Sequence, residues 1–85
     1  MSAHLIGVDD KVTDIGHEPT LKEAQAMVGG YVEVLLIHVG RKVEQLLFNE
    51  DGRRLELEYN SAASTLARRS IVGPAIHLTG REKWK

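Results

Sequence analysis

Apolar positions along the chain predict short strands joined by tight turns. Residues 31–39 are apolar at most positions, as expected for a strand that is covered on both faces. Gly40 and Arg41 follow, and glycine at the first position of a two-residue loop favours a type II′ turn. Residues 42–48 then run back along the first strand, so this region predicts a β-hairpin.

Two helices are indicated by their end signals as well as by their apolar spacing. Thr20 and Glu23 form a capping box, in which each side chain bonds the backbone of the other residue. Gly29 and Gly30 end the first helix, because glycine readily adopts the left-handed conformation found there. Asn60 caps the second helix, which covers the stretch SAASTLARR. The inward stripes are Leu21, Ala24, Met27 and Val28 in the first helix and Ala62, Ala63, Leu66 and Ala67 in the second.

Three further segments complete the predicted sheet. Residues 4–8 and 75–80 form short apolar strands at the two ends of the chain. Residues 53–59 alternate between apolar and charged side chains, which is typical of a third strand after the hairpin. Residues 11–15 fit either a short strand or an extended loop.

This succession predicts the fold class. We expect an α+β two-layer sandwich, with a mostly antiparallel sheet of four or five strands, two short helices and the order β-α-β-β-β-α-β. A ferredoxin-like arrangement is one form of this class. Residues 1–80 are expected to form a single domain, and residues 81–85 a polar C-terminal tail.

The hairpin turn determines which residues share a face of the sheet. A two-residue loop pairs Leu35 with Leu46 and places both on one face with Ile37 and Phe48. We expect that face to be the core and both helices to cover it. The opposite face is more apolar than is usual for an antiparallel sheet. Unless the N-terminal segment or the tail covers it, this face predicts a homodimer interface formed by Val32, Val34, Leu36, His38, Val43 and Leu47.

Composition and charge exclude several protein classes. Cysteine is absent, so the chain has neither disulfides nor thiolate metal ligands. No stretch approaches the ~20 apolar residues of a membrane-spanning helix, and no signal-peptide pattern is present, so we expect a cytoplasmic protein. The net charge is −1, but the bases cluster in pairs, which leaves weak nucleic-acid binding as one alternative. These pairs are Arg41 with Lys42, Arg53 with Arg54, and Arg68 with Arg69.

Side chains that carry chemistry are present but form no known catalytic set. The four histidines are widely spaced and match no metal-binding motif. Asp9, Asp10 and Asp14 are suited to a hard cation, although they lack the pattern of a calcium loop. No nucleophile lies beside an evident base, so we expect neither an enzyme nor a cofactor or metal. A small anionic ligand or nucleotide is the remaining alternative, held by Arg54, Asn60, Arg68 and Arg69.

Three segments resemble a family of small uncharacterised proteins that is widespread in bacteriophages and in bacteria carrying prophages. The segments are VGGYVEVL at 28–35, FNEDGRRLELEYNSAA at 48–63 and IVGPAIHLTG at 71–80. The shared pattern is VGG followed by an aromatic residue, an aliphatic residue and Glu, then an acidic-Gly turn, Asn-x-x-Ala and Ile-x-Gly. It falls here on Val28, Gly29, Gly30, Tyr31, Glu33, Glu50, Gly52, Asn60, Ala63, Ile71 and Gly73.

The resemblance has implications for setting and for mode of action. It implies a phage or mobile-element gene whose product works in the host cytoplasm. By analogy with small phage accessory proteins, it implies stoichiometric binding of a host protein. It implies no particular reaction, which agrees with the absence of a catalytic set in the sequence.

Overall fold

The computed structural model describes residues 2–80, and the predicted tail at residues 81–85 lies outside them. The elements are β1 (Ser2–Ile6), β2 (Val12–Asp14), α1 (Leu21–Val28), β3 (Val32–Val39), β4 (Lys42–Asn49), α2 (Ser61–Ala67) and β5 (Ala75–Thr79). The strands form one five-stranded antiparallel sheet in the order β2-β1-β5-β4-β3. The predicted α+β class is confirmed, and β2 and β3 are the two edges of the sheet.

The hairpin of β3 and β4 has the predicted turn and register. Gly40 has a φ of 63°, the positive value that the first loop position of a type II′ turn requires. Val39 pairs with Lys42 across the loop, and Leu35 pairs with Leu46 further along. The side chains that share a face on these two strands are therefore those that the sequence predicted.

Residues 53–59 do not form the predicted third strand of the meander, and this prediction was wrong. Residues 51–56 form consecutive turns: the N–H of Leu55 donates to the carbonyl of Asp51 at 2.9 Å, and Glu56 has a left-handed φ of 56°. A strand residue does not adopt that φ. β5 already pairs with the side of β4 that a meander strand would need. The fifth strand is instead β2, so the expected order holds except that one strand lies before α1 and not before α2.

The helices lie on opposite faces of the sheet, which corrects the prediction that both cover one face. Ala63 of α2 belongs to a buried cluster that includes Ile37 and Phe48. Ala24 of α1 belongs to a second cluster on the other face, which includes Leu47. The inner strands β4 and β5 are therefore buried on both sides, since each helix takes the apolar residues of one face.

Both helices begin at the predicted caps. The side-chain oxygen of Thr20 accepts the N–H of Glu23 at 3.1 Å, and the carboxylate of Glu23 accepts the N–H of Thr20 at 2.9 Å. Gly29 ends α1 with a left-handed φ of 84°. α2 starts after Asn60 and ends at Arg68, which is left-handed although it is not glycine. Helices of eight and seven residues are marginal alone, so both depend on packing against the sheet.

Candidate interaction surface

Four exposed side chains at the β3 edge form a surface that we call the aliphatic strip: Val34, Leu36 and His38 of β3, and Val43 of β4. Val34 is 42% exposed, Leu36 is 55% exposed and Val43 is 48% exposed, and His38 is also exposed. His38 lies directly opposite Val43, and strand alternation places all four side chains on the face that carries α1. Contiguous aliphatic side chains left in water are typical of interaction sites.

Packing of α1 removes two residues of the predicted interface from this surface. Leu47 is 0% exposed and packs with Ala24 and Val28 of α1, so its assignment to the interface was wrong. Val32 is partly buried against the same cluster. Because α1 packs mainly on β4 and β5, the remainder of β3 beyond Val32 is left outside its cover.

β3 is an edge strand, and half of its backbone hydrogen-bonding groups point away from the sheet. The N–H of Glu50 donates to the carbonyl of Tyr31 at 2.9 Å, which identifies the odd-numbered residues of β3 as those bonded to β4. No other described strand pairs with the outer side of β3. The residues whose N–H and C=O groups face outward are Val32, Val34, Leu36 and His38.

Asn60, which the sequence offered as an anion ligand, is a buried structural residue. It is 0% exposed, and its amide donates to the carbonyls of Ile6 at 3.0 Å and Gly73 at 2.9 Å. Its side-chain oxygen accepts the N–H of Ala63 at 3.0 Å. Asn60 therefore joins the end of β1, the start of α2 and the approach to β5, and both of its amide hydrogens are already committed.

The three arginines of the predicted ligand site do not meet in one place. Arg54 is exposed and forms an ion pair with Asp51 at 3.2 Å. Arg68 lines a groove beside β3, whereas Arg69 lines a different cavity. The Arg69 guanidinium lies 5.6 Å from the ring centroid of Phe48, a cation–π contact that holds it against the fold. The structure does not assemble these residues into one anion site.

The cavity beside Arg69 is small and contains charges of both signs. Its volume is about 100 Å³, and it is lined by Arg53 and Arg69 together with Glu33 and Glu50. Two carboxylates beside two guanidiniums offset the attraction that an anion would otherwise experience. The cavity therefore gives no preference for a nucleotide or another anionic ligand.

One buried polar pair was not predicted from the sequence. His77 Nε2 lies 2.6 Å from Glu44 Oε1, and the two side chains are 16% and 10% exposed. His4 of β1 lies directly opposite His77, whereas His38 is on the other face of the sheet. The hairpin register contained a signal, because it pairs Glu44 with Ile37, and a carboxylate on the core face requires a polar partner. The pair lines neither the cavity beside Arg69 nor the groove beside β3.

The aspartates around β2 form local hydrogen bonds. Asp9 and Asp14 each accept the backbone N–H of the residue two positions later, at 3.1 and 2.9 Å. Asp10 accepts the hydroxyl of Ser61 at 2.8 Å, which ties this loop to the start of α2. Within residues 2–80, no three histidine, aspartate or glutamate side chains are grouped so as to hold a metal ion.

Several positions of the acidic-Gly turn, the Asn-x-x-Ala motif and the Ile-x-Gly motif have structural roles in this fold. A Cβ on Gly52 would lie 2.7 Å from the side chain of Val72, and a Cβ on Gly73 would lie 2.7 Å from that of Leu57. Gly73 also has a left-handed φ of 79°. Ala63 and Ile71 are buried in the core. At these positions the pattern describes close packing and not a binding site.

No protein-family model matches the chain, and neither a curated protein nor a solved structure gives a match. Neither helix within residues 2–80 has the length and apolar character needed to cross a membrane. Any functional interpretation therefore depends on the surface itself, an exposed aliphatic strip beside an open strand edge.

Proposed function

We propose that this protein is a non-enzymatic binding protein that acts stoichiometrically and forms a homodimer through the aliphatic strip. The observation that carries the proposal is the exposure of Val34, Leu36 and Val43 on the edge hairpin, where the helices leave them uncovered. Burying a fully exposed side chain of this kind contributes roughly 1.5–3 kcal/mol. Half-exposed side chains contribute at most roughly half of that, and each of them contributes on both copies of a two-fold dimer.

The alternatives receive less support from the geometry. A site for an anionic ligand loses Asn60 to the core and has its arginines dispersed. A nucleic-acid surface needs the basic pairs on one side of the molecule. Arg41 and Lys42 adjoin one end of β4, whereas Arg53 and Arg54 follow its other end. An eight-residue strand separates the two pairs by roughly 25 Å.

The target in this proposal is a protein of the host cytoplasm. The resemblance to phage and prophage proteins supports this choice, since such proteins commonly act by occupying a host protein. The dimer is the form that binds, and no catalytic step is required of it.

Size-exclusion chromatography with light scattering tests the dimer. We expect the wild type to have the mass of two chains at high micromolar concentration. Val34→Lys is expected to have the mass of one chain, because association would place an unpaired ammonium group among apolar side chains. Val12→Lys is the matched control, since Val12 is a 60% exposed valine on the opposite edge strand, β2, and its variant should stay dimeric. A wild type that stays monomeric throughout the concentration range would contradict the proposal.

A further inference from the structure

We infer that the second copy pairs with β3 edge to edge, so that two five-stranded sheets join into one continuous sheet; this rests on the homodimer of the proposed function. The outward N–H and C=O groups of β3 are a template for an added strand. β3 is eight residues long, pairs with β4 without a bulge, and contains neither proline nor lysine. The other edge, β2, has only three residues and offers a much shorter template.

The direction of the exposed backbone groups limits the possible registers. In an antiparallel pair that exchanges hydrogen bonds, the outward-facing residues of one copy must lie opposite outward-facing residues of the other. The outward residues of β3 are even-numbered, so even-numbered residues of the two copies must face each other. The two-fold axis therefore passes through a residue position and not between two residues. The two registers that overlap most fully are centred on Leu35 and on Leu36.

Charge complementarity favours the register centred on Leu36. β3 has Glu33 near its beginning and Arg41 in the turn at its end, so antiparallel copies bring opposite charges together. With the axis at Leu36, Glu33 lies opposite Val39 of the second copy, the residue that directly precedes its Gly40–Arg41 turn. The long Arg41 side chain in that turn is then within reach of Glu33, and arginine also stacks on an exposed tyrosine such as Tyr31. With the axis at Leu35, Glu33 lies opposite Ile37, and the turn is two residues further away.

The same register unites the two aliphatic strips. Leu36 lies opposite Leu36 of the second copy, and Val34 lies opposite its His38, all on the face that carries α1. The 55% exposed Leu36 then contacts its own copy at the centre of the interface, which removes part of its apolar surface from water. Tyr31, which is 69% exposed in the single chain, also acquires a partner.

The opposite face of the edge has room for an added strand. A groove of about 400 Å³ runs beside Ile37 and is bounded by Leu66 and Ala67 of α2. The end of α2 therefore does not close the edge of β3. An added strand would place the Leu35 side chain of the second copy opposite Ile37, beside this groove.

Single cysteines test the register, because the chain has no cysteine of its own. Directly opposed residues in a hydrogen-bonded antiparallel pair have Cα atoms about 5.5 Å apart, within the range that a disulfide spans. We expect Leu36→Cys to form a covalent dimer on mild oxidation, seen as a doubled mass on a non-reducing gel. Val34→Cys is the matched control and should stay uncrosslinked, since its own copy is four residues away along the paired strand, roughly 13 Å.

A proline comparison tests whether backbone hydrogen bonds join the copies. The N–H of His38 points away from β4, so His38→Pro removes no bond within the chain, whereas His38→Ala keeps the N–H. We expect His38→Ala to remain a dimer and His38→Pro to become a monomer. Circular dichroism should show that both variants stay folded. Equal crosslinking of the two cysteine variants, or no crosslinking of Leu36→Cys in a dimeric protein, overturns the register centred on Leu36. A dimeric His38→Pro overturns edge pairing itself, and each of these results leaves the proposed dimer standing. A monomeric wild type overturns both.

Discussion

Val34 and Leu47 lie directly opposite each other on neighbouring strands, yet Val34 is 42% exposed and Leu47 is fully buried. Leu47 packs with Ala24 and Val28 of α1, and Val34 is not part of that cluster. The border of the core therefore runs between β4 and β3 on this face. The aliphatic strip exists because α1 covers the inner strands and stops short of the edge.

Because of this border, truncating a residue on β4 should lower the free energy of unfolding much more than truncating its neighbour on β3. Leu47→Ala removes a buried side chain and leaves a cavity, so we expect it to lower the free energy of unfolding by about 2–5 kcal/mol. Val34→Ala is expected to lower it by less than about 1 kcal/mol, because Val34 lies largely outside the core. Urea unfolding at a concentration low enough to keep the protein monomeric measures both. Similar losses for the two variants would show that the border is misplaced.

Removal of the Asn60 side chain is expected to destabilise the fold strongly. Asn60→Ala leaves the carbonyls of Ile6 and Gly73 without their donor and removes the N-cap of α2. Each buried group left without a partner costs about 1–3 kcal/mol, and a lost cap costs about 1 kcal/mol. The exposed cap of α1 provides the comparison, since Thr20→Ala should cost only about 1 kcal/mol. Thermal and urea unfolding that rank the two variants in the opposite order would contradict the role of Asn60.

The capping box of α1 predicts part of the pH dependence of stability. The backbone N–H of Thr20, and after it the nearby His17 side chain, lower the pKa of Glu23. A carboxyl whose pKa is lowered on folding adds stability above its unfolded pKa of about 4.3, and this stability is lost as the pH falls through the folded pKa. We therefore expect the wild type to lose more stability than Glu23→Gln when the pH is lowered through that range.

Glu18→Gln controls for removal of one carboxylate outside the capping box. It should retain the wild-type loss of stability on acidification, measured by urea unfolding at several pH values. If Glu23→Gln and the wild type show the same pH dependence, the charge of Glu23 does not stabilise α1.

The pair of Glu44 and His77 predicts unequal roles for two histidines. His77→Ala leaves the largely buried Glu44 carboxylate without its 2.6 Å contact, so we expect a loss of about 1–3 kcal/mol. His38→Ala changes an exposed side chain and should alter the stability of the monomer by less than about 0.5 kcal/mol. Urea unfolding of both variants at low concentration checks this difference. A loss for His77→Ala as small as the one expected for His38→Ala would indicate that the contact with Glu44 contributes no stability.

Local signals predicted the hairpin and the helix starts correctly. Gly40 specifies a turn through its own conformation, and Thr20 with Glu23 specifies a cap through contacts within three residues. The strand order was not predicted, because it depends on which of several distant segments pairs with a given strand. The alternation of Leu55 with Leu57 resembles a strand, but β5 occupies the side of β4 that such a strand would need.

The candidate site was predicted only in part for a similar reason. Because both faces of β4 are apolar, with Leu46 on one and Leu47 on the other, the sequence does not indicate which helix covers which face. The exposure of Val34 and Leu36 was correctly expected, but Leu47 was assigned to the same surface. The edge position of β3 depends on strand order, which no local pattern of residues encodes.

Amide hydrogen exchange at residue resolution tests the central claim most directly. The amides of Leu35 and Ile37 face β4 and should be protected at every protein concentration, which makes them internal standards. The outward amides of Val34, Leu36 and His38 are predicted to exchange rapidly at low concentration and to become protected as the concentration rises. Rapid exchange of these three amides at every concentration, with Leu35 and Ile37 still protected, would contradict association through the β3 edge.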